Sequence, residues 1–286
     1  MEPTVLQILL LGLVQGAAEL LPVSSSAHVI VAEKLLGLDP ASPSMTFLLV
    51  MLHTGTMAAV ILYFWKAWRD TFFRDAESFR RMCLHVASAT FLTLVVGLAL
   101  KLLIEKVILH GSSHDEIEDL FGHLPLVGSA LLAAGILIIS TGVSRRSDGT
   151  KELGFVSSLW IGVSQGFCLP FRGLSRSGTT ISTGMLLGLS RKKVEEFSFA
   201  LAVVITPPAI AKELHRLLKS HAPDASFAHL GHLLAPGLFG MAGAFIAGLL
   251  ALKLLSSWLE KGHWAWFGWY CVGFSGFVFF LASRGY

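Results

Sequence analysis

Charge is what this chain has least of. Only 14% of its 286 residues are Asp, Glu, Lys or Arg, against roughly 25% in soluble domains. So little charge cannot cover a water-facing surface, which excludes an ordinary soluble enzyme. Cysteine is scarce as well: Cys83, Cys168 and Cys271 are odd in number and widely spaced. That excludes a disulfide framework or a paired-cysteine metal site and leaves them as packing residues. Long polar stretches are missing; the longest connectors, about 66–82, 105–123 and 212–231, are too short for a separate folded core. No Lys or Arg precedes the first apolar segment, which itself contains Glu19. That makes a poor signal peptide, so the segment is expected to stay in the mature protein. The alternating pattern of a membrane β-barrel is absent too.

What is there is apolar and continuous. Hydrophobic residues make up 53% of the chain and the mean hydropathy is +0.68. Six runs, about 46–65, 86–104, 124–142, 195–211, 233–255 and 266–282, approach the ~20 residues a helix needs to cross a bilayer. Backbone groups in lipid must bond within their own segment, so the expectation is an all-α integral membrane protein, a polytopic helix bundle. It should form a single membrane domain over residues 1–286.

Two further segments resist being spans. The first runs Gly12-Leu-Val-Gln15-Gly16-Ala-Ala-Glu19-Leu-Leu-Pro22-Val-Ser24-Ser25-Ser26-Ala-His28. The second runs Gly162-Val-Ser-Gln165-Gly166, then Pro170, Arg172-Gly173-Leu-Ser175-Arg176-Ser177-Gly178-Thr179-Thr180. Both read Gly-x-x-Gln-Gly, a proline, then clustered hydroxyls, about 150 residues apart. Each looks like a helix, a break and a short helix (about 5–21 with 27–37, and 153–169 with 180–190), hence a re-entrant hairpin. Duplication implies an inverted-topology repeat, repeat 1 about 1–143 and repeat 2 about 150–286, whose hairpins meet near the membrane midplane. Basic residues crowd the connectors at 66–82, 144–152, 190–195 and 253–263, which the positive-inside rule assigns to the cytoplasm. The acidic run Asp115 to Asp119 then falls outside.

Ionisable residues at membrane depth are costly, and their default reading is functional. Gln15 and Glu19 are four apart and share a helix face. A carboxylate and an amide so placed suit a divalent cation, or orient a water or histidine; alternatively Glu19 is satisfied by local serines or by an arginine. Ser24, Ser25 and Ser26 sit where a helix restarts, where free N–H groups attract anions. Ser25 and His28 are three apart, close enough for a nucleophile and a base; the plainer reading is a capped helix and a core histidine. Ser175, Arg176, Ser177 and Thr180 offer a guanidinium fork and hydroxyls suited to phosphate oxygens, against a structural Arg176–Glu19 ion pair. Arg172 reads equally as a second clamp or as an interfacial side chain. His53, inside a span, is expected to be a hydrogen-bonded core residue, the alternative being that it lines the cavity. His110, His114, His123, His215, His221, His229 and His232 are expected to be solvated on loops, although 110/114 and 229/232 have helical metal spacing.

The two clusters resemble the undecaprenyl-diphosphate phosphatase, or bacitracin-resistance, family. Its motifs, Glu/Gln-x-x-x-Glu with Pro-Val-Ser-Ser-x-x-His and a later Pro-Gly-x-Ser-Arg-Ser-x-x-Thr, appear as Gln15…Glu19, Pro22 to His28, and Gly173 to Thr180. The similarity extends through Gly184 to Arg191 and Glu196 to Ala202, and span pattern and length agree over essentially the whole chain. The resemblance implies hydrolysis of undecaprenyl diphosphate to undecaprenyl phosphate and phosphate, which recycles the carrier lipid of cell-wall synthesis. It implies a divalent cation (Mg²⁺ or Ca²⁺, at Glu19 and Gln15), and a multi-pass protein of the bacterial inner membrane with its site facing the periplasm. By motif position, Glu19, Ser25, His28 and Arg176 would be central, with Gln15, Ser175, Ser177 and Thr180 supporting them in binding substrate; Ser24, Ser26 and Arg172 join these as substrate-binding candidates from their own chemistry and place. Two departures stand out: Arg172 replaces the proline of the second motif, and the stretch from Gln165 to Gly173 is one residue longer.

Expected partners are a long-chain polyprenyl diphosphate and the bilayer; a homodimer is admitted and nucleic acid is not expected. The main rival is a polyprenyl-phosphate transporter or flippase, since broken helices and inverted repeats serve transport too. An intramembrane serine protease would need neither the arginine cluster nor a metal. The type-2 phosphatidic-acid phosphatases share Ser, His and Arg chemistry, but their later histidine–aspartate segment has no counterpart after Ser190-Arg191.

Overall fold

In a computed structural model, the structure describes residues 3–38, 43–108, 123–144, 149–220 and 227–285. They form ten α-helices: α1 (Val5–Leu20), α2 (Ser25–Leu35), α3 (Pro43–Thr71), α4 (Ala76–Leu103), α5 (Leu124–Gly142), α6 (Phe155–Cys168), α7 (Arg176–Leu186), α8 (Arg191–Ser220), α9 (Phe227–Glu260) and α10 (Trp264–Ser283). No strand occurs among the described residues. Six helices are long and apolar enough to cross a membrane: Met45–Thr71, Ala76–Lys106, Leu124–Gly142, Arg191–Lys212, Leu234–Glu260 and Trp264–Ser283. They fall on the six expected spans. Two connectors are far more helical than their polarity implied: between α3 and α4 only residues 72–75 lie outside helix, and α8 and α9 extend over most of 212–231. Polar residues past a span prolong its helix readily, because the backbone bonds are already nucleated. Asp75 caps α4, accepting from the Ser78 N–H at 2.8 Å. The acidic run at 115–119 and His110, His114 and His221 lie outside the described residues, as do the side chains of His229 and His232.

Helices α1 and α6 have 16 and 14 residues, about 24 and 21 Å at 1.5 Å per residue, short of the ~30 Å hydrocarbon core. Helices α2 and α7, 11 residues each, are shorter still. Each pair folds back on itself. Gln7 near the start of α1 donates from Nε2 to the carbonyl of Leu36 just past α2, at 3.2 Å. The Lys151 N–H ahead of α6 donates to Gly188 O, and the Ser190 N–H to Lys151 O, both at 3.1 Å.

Small residues let the pairs pack closely. On α1, a Cβ at Gly16 would meet Ala244 O of α9 at 2.5 Å; on α6, one at Gly166 would meet Val96 Cβ of α4 at 2.7 Å. So α1 beds on α9 and α6 on α4, while α3 packs on α8 and on α9, and α5 on α10. The start of α1 (Ile8, Leu11) clusters with Met45, Leu48 and Leu52 at the start of α3. The base of α6 and α7 lies at the other end. There Trp68 donates to Glu196 O at 3.2 Å and Arg191 to Leu259 O at 3.1 Å. The described parts of the basic connectors therefore gather at one end of the bundle. Outward-facing Leu62, Phe91, Leu98, Ile246, Leu250 and Trp269 are exposed, a belt that only lipid tolerates at this size.

Candidate active site

Both helix pairs break where proline or glycine follows a short helix, and both restart on a serine N-cap. Pro22 biases Leu21 away from helix. Ser24 then caps α2 with φ 68° and ψ 96°, a left-handed backbone that a non-glycine residue adopts only where surrounding structure enforces it. Ser175 caps α7, accepting from the Gly178 N–H at 3.1 Å. Gly173 turns the second break at φ 105°, with Val127 O directly where a Cβ would sit.

The breaks are cross-linked in both directions. Ser26 Oγ accepts from the Gly173 N–H at 3.2 Å, and Ser177 Oγ donates to Leu21 O at 3.2 Å. Within each break the hydroxyls pair alike, Ser24 with Ser26 at 3.3 Å and Ser175 with Ser177 at 3.4 Å. A cavity of about 140 Å³ opens at this junction, lined by Ser24, Ser25, Ser26, Ser175, Ser177 and Arg172 among others, with Glu19 and Arg176 in its wall. The N-termini of α2 and α7 both face it, so two helix dipoles present their positive ends to one small space.

Glu19 is the hub. Its Oε2 accepts from Ser25 Oγ at 2.6 Å and from Gln15 Nε2 at 3.2 Å, and its Oε1 from Arg176 Nη2 at 3.3 Å. His53 brings Nε2 to 4.0 Å of Oε2, held in place because its Nδ1 bonds Leu49 O at 2.8 Å. Arg176 reaches Ser198 O at 3.5 Å and lies over the Phe199 ring, 5.9 Å from its centroid. Both members of the ion pair are about four-fifths buried, at 18% and 19% side-chain exposure, so the pairing keeps two charges tenable where water is scarce. A narrow cleft behind the pair is lined by Thr56, Met57, Val203 and Thr206.

Not every expected residue joins the cavity. The Ser25–His28 pair does not form: His28 Nδ1 bonds Ser24 O at 2.8 Å, and Nε2 bonds the Tyr270 hydroxyl at 2.7 Å. The ring stacks on Phe274 with centroids 4.0 Å apart, so the imidazole points to α10 and the hydroxyl beside it turns to Glu19. Thr180 is fully buried and staples α7 to α8 through Ser198 Oγ at 2.7 Å. Gln15 touches Glu19 but lies behind the cavity wall. Cys168, expected only to pack, lines the cavity, whereas Cys83 is exposed. Ser198, Phe199, Tyr270 and Glu33 escaped sequence reasoning; of these only Ser198 and Phe199 lie in a stretch the motif resemblance covers.

Among the described residues, no group of three or more His, Cys, Asp or Glu side chains converges. The donors around Glu19 are instead one carboxylate, the Gln15 amide and the Ser25 hydroxyl. That oxygen-rich, sparse set fits a hard divalent ion that takes its remaining ligands from water and substrate phosphate.

A guanidinium–carboxylate pair ringed by hydroxyls, where two broken helices meet inside a polytopic bundle, defines a membrane protein with an internal polar, charged site. The chain belongs to the family described as Bacitracin resistance protein BacA, whose pattern it matches over residues 8–277. It is 56% identical over 280 residues to a protein of Acinetobacter baylyi named undecaprenyl-diphosphatase 2, covering 97% of this chain and 98% of that one. Proteins named undecaprenyl-diphosphatase from Desulfosudis oleivorans and Korarchaeum cryptofilum are 33% and 32% identical. The matches cover 99% and 93% of this chain, and 100% and 95% of those proteins.

Proposed function

We propose that this protein is an undecaprenyl-diphosphate phosphatase, hydrolysing the carrier lipid diphosphate to the monophosphate and inorganic phosphate. The observation that carries the reading is the 2.6 Å bond from Ser25 to Glu19, with Arg176 on the other carboxylate oxygen. That arrangement is a nucleophile, an acceptor for its proton, and a guanidinium fork for phosphate, on one cavity wall.

In this mechanism the terminal phosphate displaces Glu19 from part of the Arg176 fork and docks against the α2 and α7 N-termini. Ser25 Oγ attacks the terminal phosphorus and its proton passes to Glu19. The phosphorus–oxygen bond to the lipid phosphate breaks, and undecaprenyl phosphate departs with the proton that Glu19 took. Water, its proton taken by the freed Glu19, then attacks the phosphoserine, and the phosphorus–oxygen bond to Ser25 breaks as that proton returns to Oγ. His53 faces Glu19 across the site, with Nε2 4.0 Å from Oε2. The His28 ring, turned to Tyr270, holds α2 against α10 and so sets where Ser25 stands. Glu19 and Gln15 would hold a Mg²⁺ or Ca²⁺, which supplies neutralisation of charge on a diphosphate.

The topology follows the same reading. The Gln7–Leu36 and Lys151–Gly188 contacts return each short helix pair to the end where it started, which supports two re-entrant hairpins. They open at opposite ends of the bundle, and the exchange of partners (α1 on α9, α6 on α4) supports an inverted repeat. With the basic end in the cytoplasm, the first hairpin and the mouth beside it face the periplasm.

The test is phosphate release from a long-chain prenyl diphosphate by protein in detergent, with and without chelator. Release that needs both cation and Arg176 is the expected result. No release from folded, cation-supplied protein would defeat the reading in favour of lipid transport, to be followed by flux across liposomes.

A further inference from the structure

His53 stands beside Glu19 without a part in the steps above. It lies on α3, and its Nδ1 meets the Leu49 carbonyl one turn back at 2.8 Å. A carbonyl only accepts, so Nδ1 carries the hydrogen of the neutral ring and Nε2 presents a lone pair. That nitrogen faces Glu19 Oε2 at 4.0 Å, too far for a hydrogen bond. Among the described residues no hydrogen bond reaches Nε2.

Two acceptors turned toward each other repel unless something positive lies between them. A proton on Nε2 is one answer, but an imidazolium closes on a carboxylate to about 2.8 Å. A metal ion is the other. Bonds of about 2.0–2.2 Å to nitrogen and to oxygen let one divalent ion reach both atoms across 4.0 Å.

The surroundings are those of a ligand. A histidine that binds metal through one nitrogen donates its other N–H to a carbonyl or carboxylate, which fixes the ring. Leu49 O does this for His53. The His53 side chain is 39% exposed against 19% for Glu19, so an ion reaches the carboxylate past the imidazole. Gln15 Nε2 lies 3.2 Å from the same Oε2, and a half-turn of the amide exchanges that donor for an oxygen. His28 does not compete, because both its ring nitrogens are taken, by Ser24 O and by the Tyr270 hydroxyl.

We propose that His53 Nε2 is a ligand of the divalent cation, which makes the site a mixed nitrogen–oxygen centre of His53, Glu19 and Gln15. An imidazole ligand moves preference away from Ca²⁺ and Mg²⁺ toward Mn²⁺ and the later first-row ions. The inference rests on the cation of the function proposed above. It does not depend on the fate of any lipid, because binding is measured without substrate.

The experiment adds Mn²⁺ alone to purified protein in detergent. Electron paramagnetic resonance counts free Mn²⁺, and electron spin-echo modulation detects nitrogen on the bound ion, with ¹⁵N-histidine protein as the reference. The parent should bind Mn²⁺ with an imidazole nitrogen attached, and Mg²⁺ or Ca²⁺ should displace it only in excess. His53→Gln offers an oxygen instead; it should lose the nitrogen signal and bind Mn²⁺ about tenfold more weakly or worse. Glu19→Gln should lose the ion, whereas His28→Gln should keep both ion and nitrogen. Thermal unfolding without metal shows that each variant has folded. If His53→Gln does not fold, a nitrogen signal lost in Glu19→Gln and kept in His28→Gln decides for His53. Bound Mn²⁺ without imidazole nitrogen, a nitrogen signal that survives His53→Gln, or no bound Mn²⁺ would each overturn the proposal. Phosphate release is a separate assay, and its failure removes the diphosphatase reading while leaving the ligands of the ion unchanged.

Discussion

Replacing Arg176 by alanine tests two roles that one side chain performs, and a double-mutant cycle with Glu19→Gln separates them. At 3.3 Å and a buried-site dielectric of about 20, the gross attraction within the pair is roughly 5 kcal/mol. Part of that only offsets the desolvation of both ions. Breaking a buried pair from one side costs about 3–5 kcal/mol, because the other charge is stranded. Glu19 keeps its bonds from Ser25 and Gln15, so the lower end, about 3 kcal/mol, is the expected destabilisation of Arg176→Ala. Glu19→Gln on top of it removes the stranded charge and should restore about 2 kcal/mol of that loss, a coupling well above the scatter of independent sites. Activity should behave oppositely. Loss of the fork should lower kcat/KM by about 10²–10³, and the double variant, without the acceptor for the Ser25 proton, should be no better. Thermal unfolding in detergent reads the first quantity, and phosphate release from a prenyl diphosphate reads the second. Additive stability losses would refute the stranded-charge reasoning, and near-parental turnover in Arg176→Ala would refute the clamp.

Other substitutions probe the scaffold. Gly173→Ala meets both a positive φ and the Val127 carbonyl; it should unlatch the Gly173–Ser26 bond and reduce phosphate release far more than an exposed-loop alanine does. Gly16→Val should separate α1 from α9 at Ala244 and Ala247 and cost about 1–3 kcal/mol; an unchanged melting temperature would contradict the close crossing. Tyr270→Phe removes the hydroxyl on His28 Nε2 while keeping the stack. It should leave a rate closer to the parent than Ser25→Ala does, whereas equal losses would put the imidazole back in the chemistry. A chelator should abolish turnover and Mg²⁺ or Ca²⁺ should restore it, while full activity in excess chelator would remove the cation from the site.

Much of this architecture was legible in the sequence because the bilayer imposes a strict rule on it. Six apolar runs became six long helices since, without the alternation of a barrel, a helix is the state that bonds the backbone of a continuous apolar run in lipid. The breaks were legible too, because Pro22, Gly173 and the capping serines act over three or four residues. Partner choice was not. Ser25 lies six residues from Glu19 and three from His28, and only the turn of the chain at Ser24, with φ at 68°, decides that the hydroxyl meets the carboxylate. The aromatic wall that captures His28 comes from α10, 242 residues along for Tyr270. Glu33 was hidden for another reason. It sits in Val-Ala-Glu33-Lys34-Leu, which reads as the wet face of an amphipathic helix, and only the fold buries it.

The reach from Glu19 to Arg176, 157 residues along the chain, has a consequence for biogenesis. During synthesis the carboxylate emerges long before its counter-ion exists, while inserting an unpaired Asp or Glu costs about 2.5–3.5 kcal/mol at a helix centre. The first broken pair must therefore wait at the membrane surface, or enter carrying a proton, until the second is made. Seating of both is then a late, joint event, and the reaction chamber comes into being only when the second broken pair, well past the middle of the polypeptide, has arrived.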